Sequence, residues 1–146
     1  MYTFTTPFGK IDVQLNGNKI VKISFLSQNT SEKTLPTSVQ QELEHYFQNP
    51  RHTFHLPIDL KGTPFQQSVW QALREIPSGT TITYKMLADR LQTGPRAVGN
   101  ACRANPVPLL IPCHRVVAKN GLGGFAGDVS GKLIAIKKWL LQHEAL

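Results

Sequence analysis

Pro112-Cys113-His114-Arg115 sets the two side chains best suited to nucleophilic chemistry next to each other. The thiolate, not the thiol, is the nucleophile, and cationic or basic neighbours draw a cysteine toward it from an ordinary pKa of roughly 8.5. In an extended chain adjacent side chains point to opposite sides, so His114 is not expected to touch the sulfur, and a bridging water is expected to carry the proton. The imidazole then needs a carboxylate to orient it. Residues 61–146 contain four acids, Glu75, Asp89, Asp128 and Glu144. Glu144 is the chosen partner, because an acid at a helix C-terminus opposes the macrodipole and calls for another purpose. Taken alone, the pair also fits an ordinary buried cysteine beside a satisfied histidine.

The segment that must position this pair is NPVPLLIPCHRVVA, residues 105–118, whose three prolines forbid regular helix while its apolar content demands burial. It reads as buried, irregular and pinned. Upstream, Thr63-Pro64-Phe65-Gln66 combines an N-cap threonine, proline at the first helical position and a glutamine three residues after the cap. Phe65, Val69, Ala72, Leu73 and Ile76 supply that helix's apolar face up to Pro77, and Ser78-Gly79 turn the chain. A Thr-rich segment (80–83) leads into a helix at 84–91, a break at Thr93-Gly94, and a helix opened by Pro95 and running to about Arg103. Two short helices so close resemble a helix-turn-helix, a feature also found without any nucleic-acid role. After a loop with Gly121, Gly123, Gly124 and Gly127, a last helix is expected from about Ser130, with Leu133, Ile136, Leu140 and Leu141 inward and Lys132, Lys137 and Lys138 outward.

Residues 1–26 read as short strands, with Asn16-Gly17-Asn18 as a hairpin turn. Pro36 is expected to start a helix near 36–48 with Val39, Leu43, Tyr46 and Phe47 on one face, and 51–60 reads as extended. At 146 residues and 40% apolar content the chain is a folded protein rather than a disordered one. Its net charge of +7 lies wholly in residues 61–146, where eleven Lys/Arg face four acids, while residues 1–60 balance five against five. That asymmetry points to a neutral first module and a second that faces a polyanion, nucleic acid first; a basic surface that merely aids solubility is the other reading. The two cysteines, Cys102 and Cys113, occur without secretory features, so no disulfide is expected. His45, His52, His55, His114 and His143 show no zinc-type pairing; His52 and His55 read as surface. With no signal peptide and no apolar run long enough to span a membrane, a cytoplasmic location is expected.

RAVGNACR followed by NPVPLLIPCHRVV resembles the active-site signature of the O6-alkylguanine-DNA alkyltransferases, also called methylated-DNA–protein-cysteine methyltransferases. TPFQQSVWQAL, IPSGTTITYKMLA, GGFAG and WLLQHE follow in family order, so the resemblance runs from about Phe65 to Glu144, whereas the first 60 residues match only in general character. It implies an α/β (α+β) fold: a small N-terminal sheet-plus-helix domain (1–61) and a mainly helical, winged-helix-like domain with a helix-turn-helix (62–146). It implies that Cys113 accepts the alkyl group, that His114 deprotonates it through water, that Glu144 orients His114, and that Asn105 braces the loop. Tyr84 would press on the nucleotide's phosphate and act as a donor at the guanine, and Arg96 would fill the gap left by the flipped base. Ala97, Gly99 and Ala101 would let their helix approach DNA closely. Arg115, Val116 and Phe125 would support or line the pocket, and Lys85, Arg103 and Lys119 join the expected DNA-contacting set.

The implied reaction is repair by stoichiometric transfer from O6-alkylguanine, and from O4-alkylthymine, in double-stranded DNA, with no cofactor and a monomer by default. The zinc ligands of some members, N-terminal cysteines and histidines, are missing here, so no metal is expected. Where many members carry tyrosine and then a hydroxyl residue, this chain has Phe125 and Ala126, and its stretch from Asp128 to Ile136 is longer than in some members. Two other classes stand beside this reading. A non-catalytic binder of alkylated guanine would lack the acceptor Cys113, and a cysteine hydrolase would require an oxyanion hole.

Overall fold

The structure, a computed structural model, describes residues 1–29, 33–125 and 131–145. Two compact units emerge: residues 1–60 with 106–108, and residues 61–105 with 109–146. The architecture is mixed α/β.

In the first unit, β1 (Tyr2–Thr6), β2 (Gly9–Asn16) and β3 (Lys19–Ser24) form an antiparallel sheet in chain order. Gly17 takes φ +63° at the β2–β3 turn, a conformation that costs glycine little and other residues more. Ile11, Val13, Ile20 and Ile23 alternate inward and are at most 3% exposed. The helix α1 (Thr37–Gln48) begins one residue later than the sequence suggests, because Pro36 sits at the N-cap with ψ 141°. Val39, Leu43 and Tyr46 are buried, while Phe47 is half-buried and stacks on Phe4. The extended chain after α1 reaches β3, where Ile20 and Ile58 form a parallel bridge.

The second unit opens with α2 (Pro64–Arg74), whose capping box is complete: Thr63 Oγ1 accepts from the Gln66 amide at 3.1 Å, and Gln66 Oε1 accepts from the Thr63 amide at 3.0 Å. Buried Trp70 donates from Nε1 to the Ala101 carbonyl at 2.9 Å, locking α2 to a later helix. A Cβ on Gly62 would lie 2.6 Å from the Trp70 ring, so glycine there lets the chain pass under the indole. The two-residue strand β4 (Ile82–Thr83) leads into α3 (Tyr84–Arg90), which is capped by Thr83 Oγ1. Gln92, at φ +55°, makes the turn into α4 (Pro95–Arg103), and the pair has helix-turn-helix form. Residues 105–112 are irregular and largely buried. Cys113–Arg115 form one 3-10 turn, followed by β5 (Val116–Val117), which pairs parallel with β4.

The last helix, α5 (Lys132–Glu144), buries Ile134, Ile136, Lys137, Leu140, His143 and Glu144. Leu133 and Leu141, expected inward, are half-buried. Lys137 does not face outward as expected: it is 0% exposed. It lies four residues after Leu133 and three before Leu140, so the helical period puts it on the inner face. The expected start near Ser130, together with Ala126, Gly127 and Asp128, lies outside the described residues. No helix is long and apolar enough to cross a membrane, among the described residues.

Candidate active site

The chain is forced into shape just before the cysteine. The Cys113 amide donates to the Ile111 carbonyl at 2.8 Å across Pro112, at φ −81° and ψ 66°, which is an inverse γ-turn. Asn105 Nδ2 donates to the same carbonyl at 2.9 Å and closes the loop on itself. Leu109, 2% exposed, sits at φ +79°, a conformation that costs a non-glycine residue roughly 1–3 kcal/mol and persists where its surroundings over-determine it. The Arg115 amide then reaches the Pro112 carbonyl at 3.1 Å, so Cys113 and His114 lie in a tight turn and not in the extended chain expected. Proline explains the difference, since the γ-turn it completes redirects the backbone by one residue.

In this turn the His114 ring engages the carboxylate at the end of α5. Its Nε2 lies 2.8 Å from Glu144 Oε2 with both side chains at most 1% exposed. Arg115 grips the same carboxylate with two donors, Nε to Oε1 and Nη2 to Oε2, each at 2.9 Å, and gives Nη1 to the Ile76 carbonyl at 2.6 Å. Burial works against the Glu144 charge, but the His114 and Arg115 hydrogen bonds outweigh it and hold the carboxyl well below its usual range. Burial pulls the His114 pKa down, against the pull of Glu144, so the ring is a neutral imidazole. With Nε2 engaged, the buried Nδ1 has no hydrogen-bond partner among the described residues. An imidazole that is neutral, oriented by a carboxylate and left with one open nitrogen is equipped to take a proton.

Cys113 is 6% exposed, and burial raises its pKa, opposed by a hydrogen bond with Asn105 and by the Lys137 cation. It rests as a thiol. Cys102, on the inner side of α4, is likewise pushed up to about 12 by burial, and both cysteines are free. The Lys137 ammonium donates to the carbonyls of Val116 at 2.8 Å, Leu122 at 2.5 Å and Gly124 at 2.9 Å. Desolvation draws its pKa down to about 8, yet three carbonyl acceptors require all three ammonium hydrogens, so it is charged at neutral pH. Tyr84 rests against the loop that Lys137 fastens: its hydroxyl donates to the Gly124 carbonyl at 3.4 Å, and a Cβ on Gly123 would lie 2.9 Å from its ring. Burial raises its pKa to about 12, which keeps the phenol a donor.

Residues 64–146 match the family model described as the 6-O-methylguanine DNA methyltransferase, DNA binding domain. The chain belongs to that family. Residues 1–60 match the ribonuclease-like domain of 6-O-methylguanine DNA methyltransferases, so membership extends over the half whose sequence shares only a general character with it. Among curated relatives, the constitutive methylated-DNA–protein-cysteine methyltransferase of Bacillus subtilis is 39% identical over 160 residues, spanning 99% of this chain and 94% of the relative. The methylated-DNA–protein-cysteine methyltransferase of Saccharolobus islandicus is 36% identical over 146 residues, spanning 98% and 93%. Among solved structures, Mycobacterium tuberculosis OGT in complex with DNA superposes with a TM-score of 0.81 at 32% identity, over 97% of this chain and 90% of that one.

In this methyltransferase the remaining sequence-derived candidates divide by surroundings. Arg96 and Arg103 are exposed on α4, with Ala97 and Gly99 half-buried beside them and Ala101 buried. Lys119 is exposed, while Lys85 pairs across one helical turn with Asp89 at 3.1 Å. Val116 and Phe125 are buried, at 0% and 3% exposure. Arg115, grouped from sequence with the pocket and DNA contacts, has its guanidinium committed to Glu144 and Ile76. Lys137 is the residue that sequence reasoning misplaced, although its spacing from Leu133 and Leu140 was the available signal. A second surprise lies in the first unit, where Glu42, His45 and His52 bring ligand atoms within 4.8 Å of one another, among residues that showed no zinc-type spacing.

Proposed function

We propose that this protein repairs alkylated DNA by direct reversal, moving the alkyl group from O6 of guanine to Cys113. The observation that carries the assignment is the buried Cys113-His114-Glu144 arrangement braced by Arg115, in which a neutral, carboxylate-held imidazole keeps one ring nitrogen open among the described residues. A stacked guanine hides its O6, so the base must be extruded at a cost of a few kcal/mol. Arg96, exposed near the start of α4, fills the gap, and Arg103, Lys85 and Lys119 contact the backbone. Gly99 supports close approach: a Cβ there would meet nothing within 4 Å, so the glycine has no packing reason inside the protein.

His114 Nδ1 takes the Cys113 proton through water. The thiolate attacks the alkyl carbon, the S–C bond forms, and the C–O6 bond breaks with its electron pair passing to the guanine. Tyr84 donates a hydrogen bond to the charge that develops there, and the proton held by His114 returns through water to the base. One thiol and one alkylguanine become one thioether and one guanine, with no cofactor. No group among the described residues of the site cleaves a thioether, so each molecule acts once. Asn105 and Arg115 hold the turn and the carboxylate, and Val116 and Phe125 line the pocket.

The same chemistry extends to O4-alkylthymine. The protein acts as a monomer on double-stranded DNA in the cytoplasm, a location supported by its relatives' chemistry, and residues 1–61 and 62–146 serve as a supporting and an acting domain. Intact-protein mass spectrometry after mixing with a duplex bearing one O6-methylguanine tests the reading. A gain of one methyl on the peptide holding Cys113, saturating at one per chain and missing in Cys113→Ser, is expected. Tight lesion binding with no mass change would leave a damage-recognition protein in place of an enzyme.

A further inference from the structure

We propose that Glu42, His45 and His52 form a site for a divalent transition-metal ion of the zinc class on the first unit. Glu42 and His45 stand one turn apart on α1, and His52 comes from the chain that returns after the helix. His52 Nε2 already lies 2.7 Å from Glu42 Oε2, and one ligand atom from each of the three residues lies within 4.8 Å of the others. A tetrahedral ion with ligands at about 2.0–2.2 Å sets them roughly 3.3–3.5 Å apart, so binding replaces the direct Glu42–His52 contact and draws in the exposed His45 ring.

The carboxylate is built for such a role. Its Oε1 accepts the His55 amide at 2.6 Å, which fixes its orientation and leaves Oε2 for the ion, the kind of supporting hydrogen bond that metal-binding carboxylates carry. The His52 ring is held edge-on by His45 at 5.4 Å and by Phe54 at 5.7 Å between centroids, and its amide donates to the Asn49 carbonyl. Two imidazoles and one carboxylate suit borderline Zn2+ or Co2+, with water completing the shell, and the absence of thiolate from the trio disfavours Cu+. The ion would tie the end of α1 to the strand-like chain behind it, adding its binding free energy to the stability of the first unit. Neither cysteine is among the three ligands.

The test is calorimetric titration of the whole protein with ZnCl2, with Cys113→Ser, His45→Ala and His52→Ala in parallel, and Co2+ absorption as a report on ligand type. One ion per chain is expected in the wild type and in Cys113→Ser, with no thiolate charge-transfer band for Co2+. Affinity should fall by at least about tenfold in both histidine variants, since even losing a group that only orients a ligand costs roughly 10–100-fold. Zinc should raise the melting temperature of the wild type but not of His45→Ala, each compared with its own metal-free protein. No saturable binding, or binding unaffected by His45→Ala and abolished by Cys113→Ser, overturns the proposal, the second result assigning the ion to the acceptor thiol.

Discussion

Glu144 receives one hydrogen bond from His114 and two from Arg115 while 1% exposed, so its charge is stable only as long as both partners remain. Breaking a buried ion pair by removing one member costs about 3–5 kcal/mol. Glu144→Gln should lose stability on that scale in urea denaturation, and its alkyl transfer should slow because the imidazole loses its orienting anion. The pH dependence separates the two groups. Burial depresses the His114 pKa from its ordinary 6.5, so below that value the unfolded chain takes up a proton that the folded site refuses. The destabilisation due to this group is therefore felt only below pH 6.5, where it grows as pH drops. The Glu144 pKa is depressed from 4.5, so its contribution stays complete above that value and is lost only as pH falls further. From about pH 7.5 to about pH 5.5 the urea midpoint should decline in the wild type and decline less in His114→Gln, since only the wild type buries the imidazole. Equal declines in the two would remove His114 as the cause.

Elements hold these residues by unlike means. The α5 helix fastens the loop beyond the cysteine through one ammonium and three carbonyls, so Lys137→Met should strand those carbonyls at about 1–3 kcal/mol each. A loss of at least about 3 kcal/mol in denaturation is expected, with a fall in transfer rate that Lys137→Arg rescues only in part, because a planar guanidinium cannot copy three convergent ammonium donors. The α4 helix presents the opposite case. Replacing Gly99 by alanine meets open space and relieves a glycine in mid-helix, which should stabilise the protein by roughly 0.5–1 kcal/mol. If α4 is the face laid against DNA, the same added methyl should weaken duplex binding. Measured together, a higher melting temperature with unchanged DNA affinity would remove α4 from the interface.

Across the whole molecule the charge is one-sided, with the entire +7 excess carried by residues 61–146. Duplex affinity should fall linearly with the logarithm of salt concentration, and Arg103→Ala should weaken binding to all sequences alike and reduce the slope by about one. A slope unchanged by Arg103→Ala would take that residue off the backbone. Much of this design can be read from sequence, because it rests on local rules. The Thr63-Pro64-Phe65-Gln66 cap, the Asn16-Gly17 turn and the paired helices around Gly94 each depend on neighbours a few residues apart. The contact between His114 and Glu144, 30 residues apart, was within reach because few acids were available, because an acid at a helix C-terminus opposes the macrodipole, and because the WLLQHE resemblance implies it. The tertiary structure alone decided the rest. The helical period marks Lys137 as inward, but its charge is tolerated there because Val116, Leu122 and Gly124 bring carbonyls from 13 to 21 residues away, partners that no helical pattern announces. β4 and β5 are two residues each and exist by pairing with one another. Glu42, His45 and His52 converge because the chain folds back after α1. Periodicity and capping are properties of adjacent residues, whereas the fate of a polar group in the interior depends on which distant partners the fold delivers to it.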